Sequence, residues 1–350
     1  MGNGEGIHMI VTMQSDASEA EADSVVALLR TNGYELHLIR DAGPLAIGIN
    51  GRPVDADLPD LICTMPGVSH IHTGRKPYKL AAREVRPEGT IVQVGDVRFG
   101  GETPVMIAGP CAVESREQAL RTADLVLKAG GVMLRGGAFK PRSSPYSFQG
   151  MGEEGLQILA EAREQTGLPF VTEVMEPEQV ELVASYADML QIGSRNMMNV
   201  PLLRRAAASG LPILLKRGFA STVEEWLLSA EYILAEGNDR VVLCERGIRG
   251  FDSATRFTLD LNVVPLLQQL THLPIVVDPS HGTGLRELVT PMSLAAIAAG
   301  AHGLIVEVHD NPEEALCDGP QSITAEMLAD LVARAHAIST LFSPAPSLIA

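Results

Sequence analysis

Short apolar runs alternate with amphipathic stretches along most of this chain. Eight runs follow one another from Val105 onward, and they read VMIAG, VMLRG, FVTEV, MLQIGS, ILLKRG, VVLCERG, IVVDPSHG and GLIVEVH. Their apolar residues are contiguous rather than alternating, as strands covered by helices on both faces require. Between them lie stretches such as 222–236, which carries Trp226, Ala230 and Ile233 on one helical face.

Eight strand-helix units over about 240 residues predict a (β/α)8 TIM barrel. A doubly wound open sheet is the alternative, but no G-x-G-x-x-G follows the first strand, and this favours the barrel. The barrel is assigned to residues 102–340.

The order of elements before the barrel is different. An apolar strand HMIVTM precedes a helix over 18–32, and the strands YELHLIR and LAIGIN, a short helix at 58–65 and the strand VSHIH follow. This βαββαβ order is that of a small α+β ferredoxin-like domain, which we assign to residues 7–72 as a regulatory or binding module. Residues 73–101 are predicted to be a linker and a β-hairpin that turns at Gly95 and Asp96.

Composition narrows the range of partners. The 350 residues carry 27 Lys and Arg against 43 Asp and Glu, a formal net charge of -16, which disfavours binding to nucleic acid or to an anionic membrane surface. The sequence contains no apolar run long enough to span a membrane and no signal peptide, so we expect a cytoplasmic protein. Four dispersed cysteines favour thiols or metal ligation over disulfides.

Polar residues end all eight apolar runs, at the end of a barrel where active sites are built. A single polar residue at a strand end is usually a cap of that strand. An active site is indicated when one mouth of the barrel gathers cations, a thiol, an imidazole and carboxylates. The residues are Cys111, Arg135, Glu173, Arg195, Lys216, Glu245 with Arg246, Asp278 with His281, and Glu307.

An all-cationic loop adds to this set. The stretch LRGGAFKPRSSPYSFQG, residues 134–150, contains Arg135, Lys140 and Arg142 and no acidic residue. Cations that converge where water is partly excluded repel one another strongly unless anions neutralise them. Either acidic neighbours or a bound ligand can supply these anions. Arginine grips carboxylate and phosphate with paired hydrogen bonds and lysine acts as a point charge, so the mixture suggests phosphorylated, carboxylated substrates.

A second group of side chains has the donors of a metal site. Cys111, His281, Glu307 and Asp318 offer sulfur, nitrogen and two oxygens, which suits a divalent Mn, Fe, Co or Zn ion. Alternatively, Cys111 is a small buried apolar residue and His281 a turn residue. Cys317 is not expected to be a ligand, because neighbours on an extended segment point in opposite directions, and neither is Cys63.

In these residues the barrel resembles the 3-deoxy-D-arabino-heptulosonate 7-phosphate (DAHP) synthase family, which joins phosphoenolpyruvate to erythrose 4-phosphate at the entry to the shikimate pathway of aromatic amino acid biosynthesis. The matching segments are IAGPCAVES, LRGGAFKPRSSPYSFQG, QIGSRNM, LLKRG, CERGIRGF, DPSHGTG, IVEVH and CDGPQS. The N-terminal part, with KPYKLAARE and TIVQVGDVRFG, resembles the regulatory domain of the type Iβ branch. That resemblance implies inhibition by an aromatic amino acid.

The resemblance also implies a role for each site residue. It assigns metal ligation to Cys111, His281, Glu307 and Asp318. It assigns the phosphate of phosphoenolpyruvate to Arg195, Lys216 and Arg246, its carboxylate to Arg135 with Lys140, and the phosphate of erythrose 4-phosphate to Arg142 and Ser143. Lys140 would protonate the alkoxide that forms, and water activated with help from His281 or Glu173 would complete the reaction.

Two other functions are compatible with the same barrel. The related 3-deoxy-octulosonate 8-phosphate synthases use arabinose 5-phosphate and carry Lys-Ala-Asn-Arg where this chain has Lys140, Pro141 and Arg142. The shorter, proline-fixed loop favours the four-carbon sugar. The other function is a small-molecule sensor with an inactive barrel. In an enzyme whose N-terminal domain is a sensor, His37 either contacts the polar group of an aromatic ligand or is an exposed strand histidine with no role. We expect a homodimer or a homotetramer.

Overall fold

The predicted barrel is confirmed by a computed structural model that describes residues 9–39, 44–50, 54–55, 57–72, 77–141 and 144–342. Eight parallel strands close in chain order, with the last strand pairing with the first. The strands are β7 (Val105–Gly109), β8 (Met133–Arg135), β9 (Phe170–Val174), β10 (Met189–Ile192), β11 (Ile213–Lys216), β12 (Val241–Glu245), β13 (Ile275–Val277) and β14 (Gly303–Glu307). Every residue of these strands is buried, which explains their contiguous apolar character.

Helices cover the outside of the barrel. They are α3 (Arg116–Lys128), α4 (Glu153–Thr166), α5 (Val180–Ala184), α6 (Val200–Ala208), α7 (Val223–Ala235), α8 (Val263–Leu270), α9 (Pro279–Thr283), α10 (Arg286–Ala298) and α11 (Ala325–Phe342). In α7, Thr222 and Glu225 form a capping box, and Trp226, Ala230 and Ile233 are fully buried. No helix in the described part of the chain is long and apolar enough to cross a membrane.

A β-hairpin closes the end of the barrel where the strands begin. It consists of β5 (Val92–Val94) and β6 (Val97–Phe99), joined at Gly95 and Asp96. The side chains of Val92, Val94 and Phe99 pack in one cluster with inward-facing barrel residues such as Ile107 and Leu214. The hairpin therefore plugs this end of the barrel, and the opposite end, where the strands terminate, is left open for a cavity.

The N-terminal residues form a separate four-stranded antiparallel sheet in the order β2-β3-β1-β4. Its elements are β1 (Met9–Met13), α1 (Glu19–Thr31), β2 (Glu35–Ile39), β3 (Ala46–Asn50), α2 (Leu58–Cys63) and β4 (Val68–His72). Alternate residues of β1 face different cores: Met9 and Val11 pack with Val25 of α1, whereas Ile10 belongs to the core cluster of the barrel. One face of the sheet therefore packs toward the barrel.

The carboxylate of Glu231 is one of the groups that hold the segment between the sheet and the hairpin to the barrel. Glu231 of α7 accepts hydrogen bonds from the backbone N–H groups of Lys79, Leu80 and Ala81 at 2.9, 2.7 and 2.9 Å. Burial raises the pKa of Glu231, and these three donors oppose the shift. Leu80 and Ala81 lie in the barrel core cluster. The division into domains at residues 72 and 101 remains a prediction.

Candidate active site

A cavity of about 460 Å³ opens at the end of the barrel where the strands terminate. Seven cationic side chains line it, against two carboxylates and one imidazole. The cations are Arg135, Lys140, Arg195, Lys216, Arg246, Arg249 and Arg256, and the other three residues are Glu173, Asp318 and His281. In a chain with a net charge of -16, this mouth is a local excess of positive charge. It is suited to small anionic ligands.

Four potential metal ligands meet beside this cavity, and two of them, His281 and Asp318, line it. The donor atoms of Cys111, His281, Glu307 and Asp318 all lie within 4.8 Å of one another. His281 Nε2 is 3.3 Å from Glu307 Oε1 and 3.8 Å from Asp318 Oδ2, and Cys111 Sγ is 3.4 Å from Asp318 Oδ2. Ligands of a tetrahedral ion at about 2.0–2.3 Å are separated by about 3.3–3.8 Å. The spacing of the donors therefore fits one divalent ion.

Asp278 fixes the orientation of the His281 ring. Its Oδ2 lies 2.7 Å from His281 Nδ1 and its Oδ1 accepts the His281 N–H at 2.9 Å. A carboxylate only accepts, so Nδ1 carries the proton, and Nε2 is the ring nitrogen that would bind a metal ion between His281, Glu307 and Asp318. Burial lowers the pKa of His281, and the Asp278 and Glu307 carboxylates oppose this shift. Metal-ligating histidines are commonly held by a carboxylate in this way.

Glu307 is an ionised carboxylate at the end of β14. Its Oε1 accepts from Arg135 at 2.6 Å and its Oε2 from Gln321 at 2.6 Å. Burial opposes ionisation, but His281, Arg135 and Lys140 together lower the pKa of Glu307 to about 2. A buried carboxylate in this state is an available metal ligand.

The thiol of Cys111 lies in a different electrostatic environment. Its contact with Cys317, its burial and the Glu307 carboxylate raise the pKa of Cys111 well above the ordinary value, and Lys140 opposes them. Lys140 Nζ lies 3.2 Å from this sulfur and donates to the Cys111 carbonyl at 2.9 Å. A divalent cation at the four donors would favour the thiolate, because a coordinating thiol is deprotonated.

The reason given from sequence for setting Cys317 aside is wrong. The segment is not extended at Asp318, which is the one non-glycine residue with a positive φ, 55°, in the described part of the chain. The left-handed turn brings both neighbouring side chains toward Cys111, with Cys317 Sγ at 3.1 Å and Asp318 Oδ2 at 3.4 Å. Cys317 nevertheless lies outside the group of four donors, and Cys63 is exposed on α2.

The predicted anion-binding residues differ in their partners. Lys216 Nζ lies 2.5 Å from Asp278 Oδ2, and Arg135 pairs with Glu307, so acidic neighbours partly neutralise both cations. Arg246 is buried, and among the described residues no carboxylate lies within 4.0 Å of it; it donates to the Gly247 carbonyl at 3.2 Å. Arg195 is exposed at the rim. Arg142 and Ser143 lie outside the described residues.

Several residues that shape this site have no role predicted from the sequence. In the sequence Asp278 is only the polar end of a strand, whereas in the structure it bridges Lys216 and His281. Arg249 and Arg256 line the cavity, and Arg256 donates to Gln321 at 2.8 Å. The sequence could have indicated a binding role for both arginines. They lie in RGIRGFDSATRF, the loop after β12, which is as rich in cations as residues 134–150.

Comparisons with known proteins agree on one family. The profile of the DAHP synthetase I family matches residues 80–340. The phospho-2-dehydro-3-deoxyheptonate aldolase of Thermotoga maritima is 48% identical over 93% of this chain and 96% of its own length. The crystal structure of that enzyme, also described as DAHP synthase, superposes with a TM-score of 0.75 and covers 95% of this chain and 97% of its own. The 2-dehydro-3-deoxyphosphooctonate aldolase of Geobacter metallireducens is 33% identical over 71% of this chain and 98% of its own length.

Proposed function

The chain belongs to the DAHP synthetase I family, and we propose that it condenses phosphoenolpyruvate with erythrose 4-phosphate to give DAHP and inorganic phosphate. One observation supports this above others: a cavity lined by seven cations lies beside a metal-type donor group. At neutral pH the two substrates bring about five negative charges, taking each phosphate near -2 and the carboxylate near -1. The cations of the mouth balance that charge.

Two anion sites are proposed for phosphoenolpyruvate. Arg195, Lys216 and Arg246 would bind its phosphate, and Arg135 with Lys140 its carboxylate. Within the described residues, the Nε of Arg135 is buried without a hydrogen-bond partner, although another nitrogen of the same guanidinium already binds Glu307. A substrate carboxylate would satisfy such a donor. Arg142 and Ser143 are proposed for the phosphate of erythrose 4-phosphate.

The proposed metal ligands are Cys111, His281, Glu307 and Asp318, and the ion is divalent Mn, Fe, Co or Zn. An ion held there would supply Lewis acidity toward the aldehyde oxygen of the sugar phosphate. Asp278 holds the His281 ring with Nε2 turned toward the other donors, and Gln321 orients Glu307. The mixed sulfur, nitrogen and oxygen set suits a borderline ion better than magnesium or calcium.

The chemistry of the chain's own residues follows from their positions. C3 of phosphoenolpyruvate forms a bond to the aldehyde carbon, and the ammonium of Lys140 protonates the oxygen that becomes a hydroxyl. Water then adds to C2 and phosphate leaves. We assign the proton acceptor for this water to Glu173, because His281 Nδ1 is bound to Asp278 and Nε2 faces the donor group. Glu173 lines the cavity and is held by Gln191 at 3.2 Å.

Turnover with two sugar phosphates tests the proposed reaction. We expect the full chain to consume phosphoenolpyruvate at least about tenfold faster with erythrose 4-phosphate than with arabinose 5-phosphate, since pockets discriminate one added carbon by about 10–200-fold. A chelator should abolish the reaction, and a divalent ion should restore it. Faster turnover of the five-carbon sugar would reassign the chain to the octulosonate enzymes, and no turnover of either would favour the sensor.

We propose that the N-terminal sheet is a ferredoxin-like regulatory domain through which an aromatic amino acid inhibits the enzyme, and that the assembly is a homodimer or homotetramer. The order of its strands and helices supports this assignment. A second cavity, of about 330 Å³, is lined by His37 of β2 together with Arg86, Asp239 and Leu234 from beyond the sheet. This cavity offers apolar contacts beside the ion pair of Arg86 and Asp239, in which a guanidinium nitrogen lies 2.9 Å from a carboxylate oxygen.

Inhibition assays with and without the sheet test this regulatory role. Tyrosine or phenylalanine should lower the rate of the full chain by at least about fivefold, the lower range of allosteric coupling. Deleting residues 1–72 should remove the inhibition and leave turnover intact. If neither amino acid affects the full chain, the regulatory assignment is wrong; if inhibition survives the deletion, the effector binds the barrel.

A further inference from the structure

Arg246 is a buried cation of the mouth that is not paired with a carboxylate. Arg135 and Lys216 each lie within 2.6 Å of a carboxylate oxygen, whereas no described carboxylate lies within 4.0 Å of Arg246. Only 3% of Arg246 is exposed, and burial lowers its pKa to about 10. A buried cation without a partner is costly, so something else must stabilise this charge.

Two phenylalanine rings lie against this guanidinium. The Cζ of Arg246 is 4.1 Å from the centre of the Phe257 ring and 4.9 Å from the centre of the Phe219 ring. The two rings are stacked, with centres 5.3 Å apart and planes 7° from parallel. The negative face of an aromatic ring attracts a cation within about 6 Å. Phe219 also lies within this range of Arg195, at 5.4 Å.

The backbone holds both rings in place. Phe219, after β11, accepts a hydrogen bond on its carbonyl from the Arg249 N–H at 2.6 Å, and Phe257 donates its N–H to Gly282 at 3.1 Å. Gly247, next to Arg246, has φ +91°, and a Cβ there would lie 2.7 Å from the Cβ of Phe257. A glycine at this position therefore allows Phe257 to approach the guanidinium closely.

We propose that Phe219 and Phe257 are positioning residues that hold Arg246 by cation–π contact and keep its charge available for the phosphate of phosphoenolpyruvate. A carboxylate in their place would neutralise the guanidinium and compete with the incoming phosphate for its N–H donors. The rings stabilise the cation without accepting hydrogen bonds from it, so its N–H donors other than the one bound to the Gly247 carbonyl remain available to the ligand. This inference rests on the proposed function, which supplies the phosphate.

The test uses the full-length protein in which Phe257 is replaced by phenylalanines with increasing numbers of ring fluorines. Successive fluorination withdraws electron density from the ring face with little change of shape, so it weakens a cation–π contact in steps. Binding of phosphoenolpyruvate, and of inorganic phosphate as a simpler probe, is measured by calorimetry. We expect affinity for both to fall stepwise, by about tenfold for the trifluoro ring, as the range of cation–π energies allows. KM for phosphoenolpyruvate should rise in parallel, with kcat within about twofold.

Phe170 provides the matched control. Its ring also lies near an arginine, Arg163 at 5.4 Å, but it begins β9 at the plugged end of the barrel. The same fluorinated series there should leave both affinities unchanged. A flat response at 257, or equal responses at 257 and 170, would overturn the inference. Because calorimetry requires no turnover, a stepwise loss of phosphate binding in a chain that fails to make DAHP would count against the proposed function alone.

Discussion

Cys111→Ser is expected to lower metal affinity and turnover by at least about 100-fold, since even the residues that orient ligands are worth about 10–100-fold. A serine hydroxyl stays protonated near neutral pH and is a poor donor to borderline divalent ions. Metal content after dialysis against a weak chelator and steady-state turnover with added manganese or zinc measure the two losses. The circular dichroism spectrum should match that of the unchanged protein.

Cys317→Ser is the matched control, because its sulfur lies 3.1 Å from that of Cys111 but outside the group of four donors. This variant should retain most of the bound metal. If Cys317→Ser loses the ion and Cys111→Ser keeps it, the assignment of the sulfur ligand is reversed. Full activity of the unchanged protein in metal-stripped buffer would exclude a metal role for all four residues.

Lys140→Arg is expected to lower kcat by about 10²–10⁴-fold while preserving most of the affinity for phosphoenolpyruvate, the range typical of a lost general acid. Arginine keeps the positive charge that the substrate carboxylate needs but does not release a proton in proteins. Lys140→Met removes both functions and should also weaken binding. Calorimetric binding and turnover at saturating substrate separate the two effects.

Lys79→Met is the control for these variants, since Lys79 is also a buried lysine but lies in the segment bound to Glu231. It should change kcat little. Turnover of Lys140→Arg close to that of the unchanged protein would show that Lys140 supplies charge and another group supplies the proton. In that case the amine's 2.9 Å hydrogen bond to the Cys111 carbonyl would be its main structural role.

Much of the fold was predictable because strand and helix periods are local properties. The contiguous apolar runs that predicted the barrel coincide with β7 to β14, and the capping residues of α7 were visible in the chain. The Gly95 and Asp96 turn likewise indicated the hairpin. The role of that hairpin was not predictable, since its burial against Ile107 and Leu214 depends on contacts far apart in sequence.

Part of the candidate site was predictable as well. The donor atoms of residues that follow the barrel strands were enough to group Cys111, His281, Glu307 and Asp318 as metal ligands, because every parallel strand of a barrel ends at the same mouth. The direction of the Cys317 side chain was not predictable, since a single left-handed residue at φ 55° reverses the direction of a side chain without any sequence signal beyond Asp itself.

Local sequence patterns were enough to predict the barrel strands, the end of the barrel that carries the chemistry, and the types of residue gathered there. Which of these charges are paired depends on the folded arrangement of the loops. Arg135 and Lys216 have carboxylate partners, whereas Arg246 lies against Phe219 and Phe257. This difference depends on distance, because electrostatic and cation–π energies change over a few ångströms, and the loops after separate strands set the distances between these side chains.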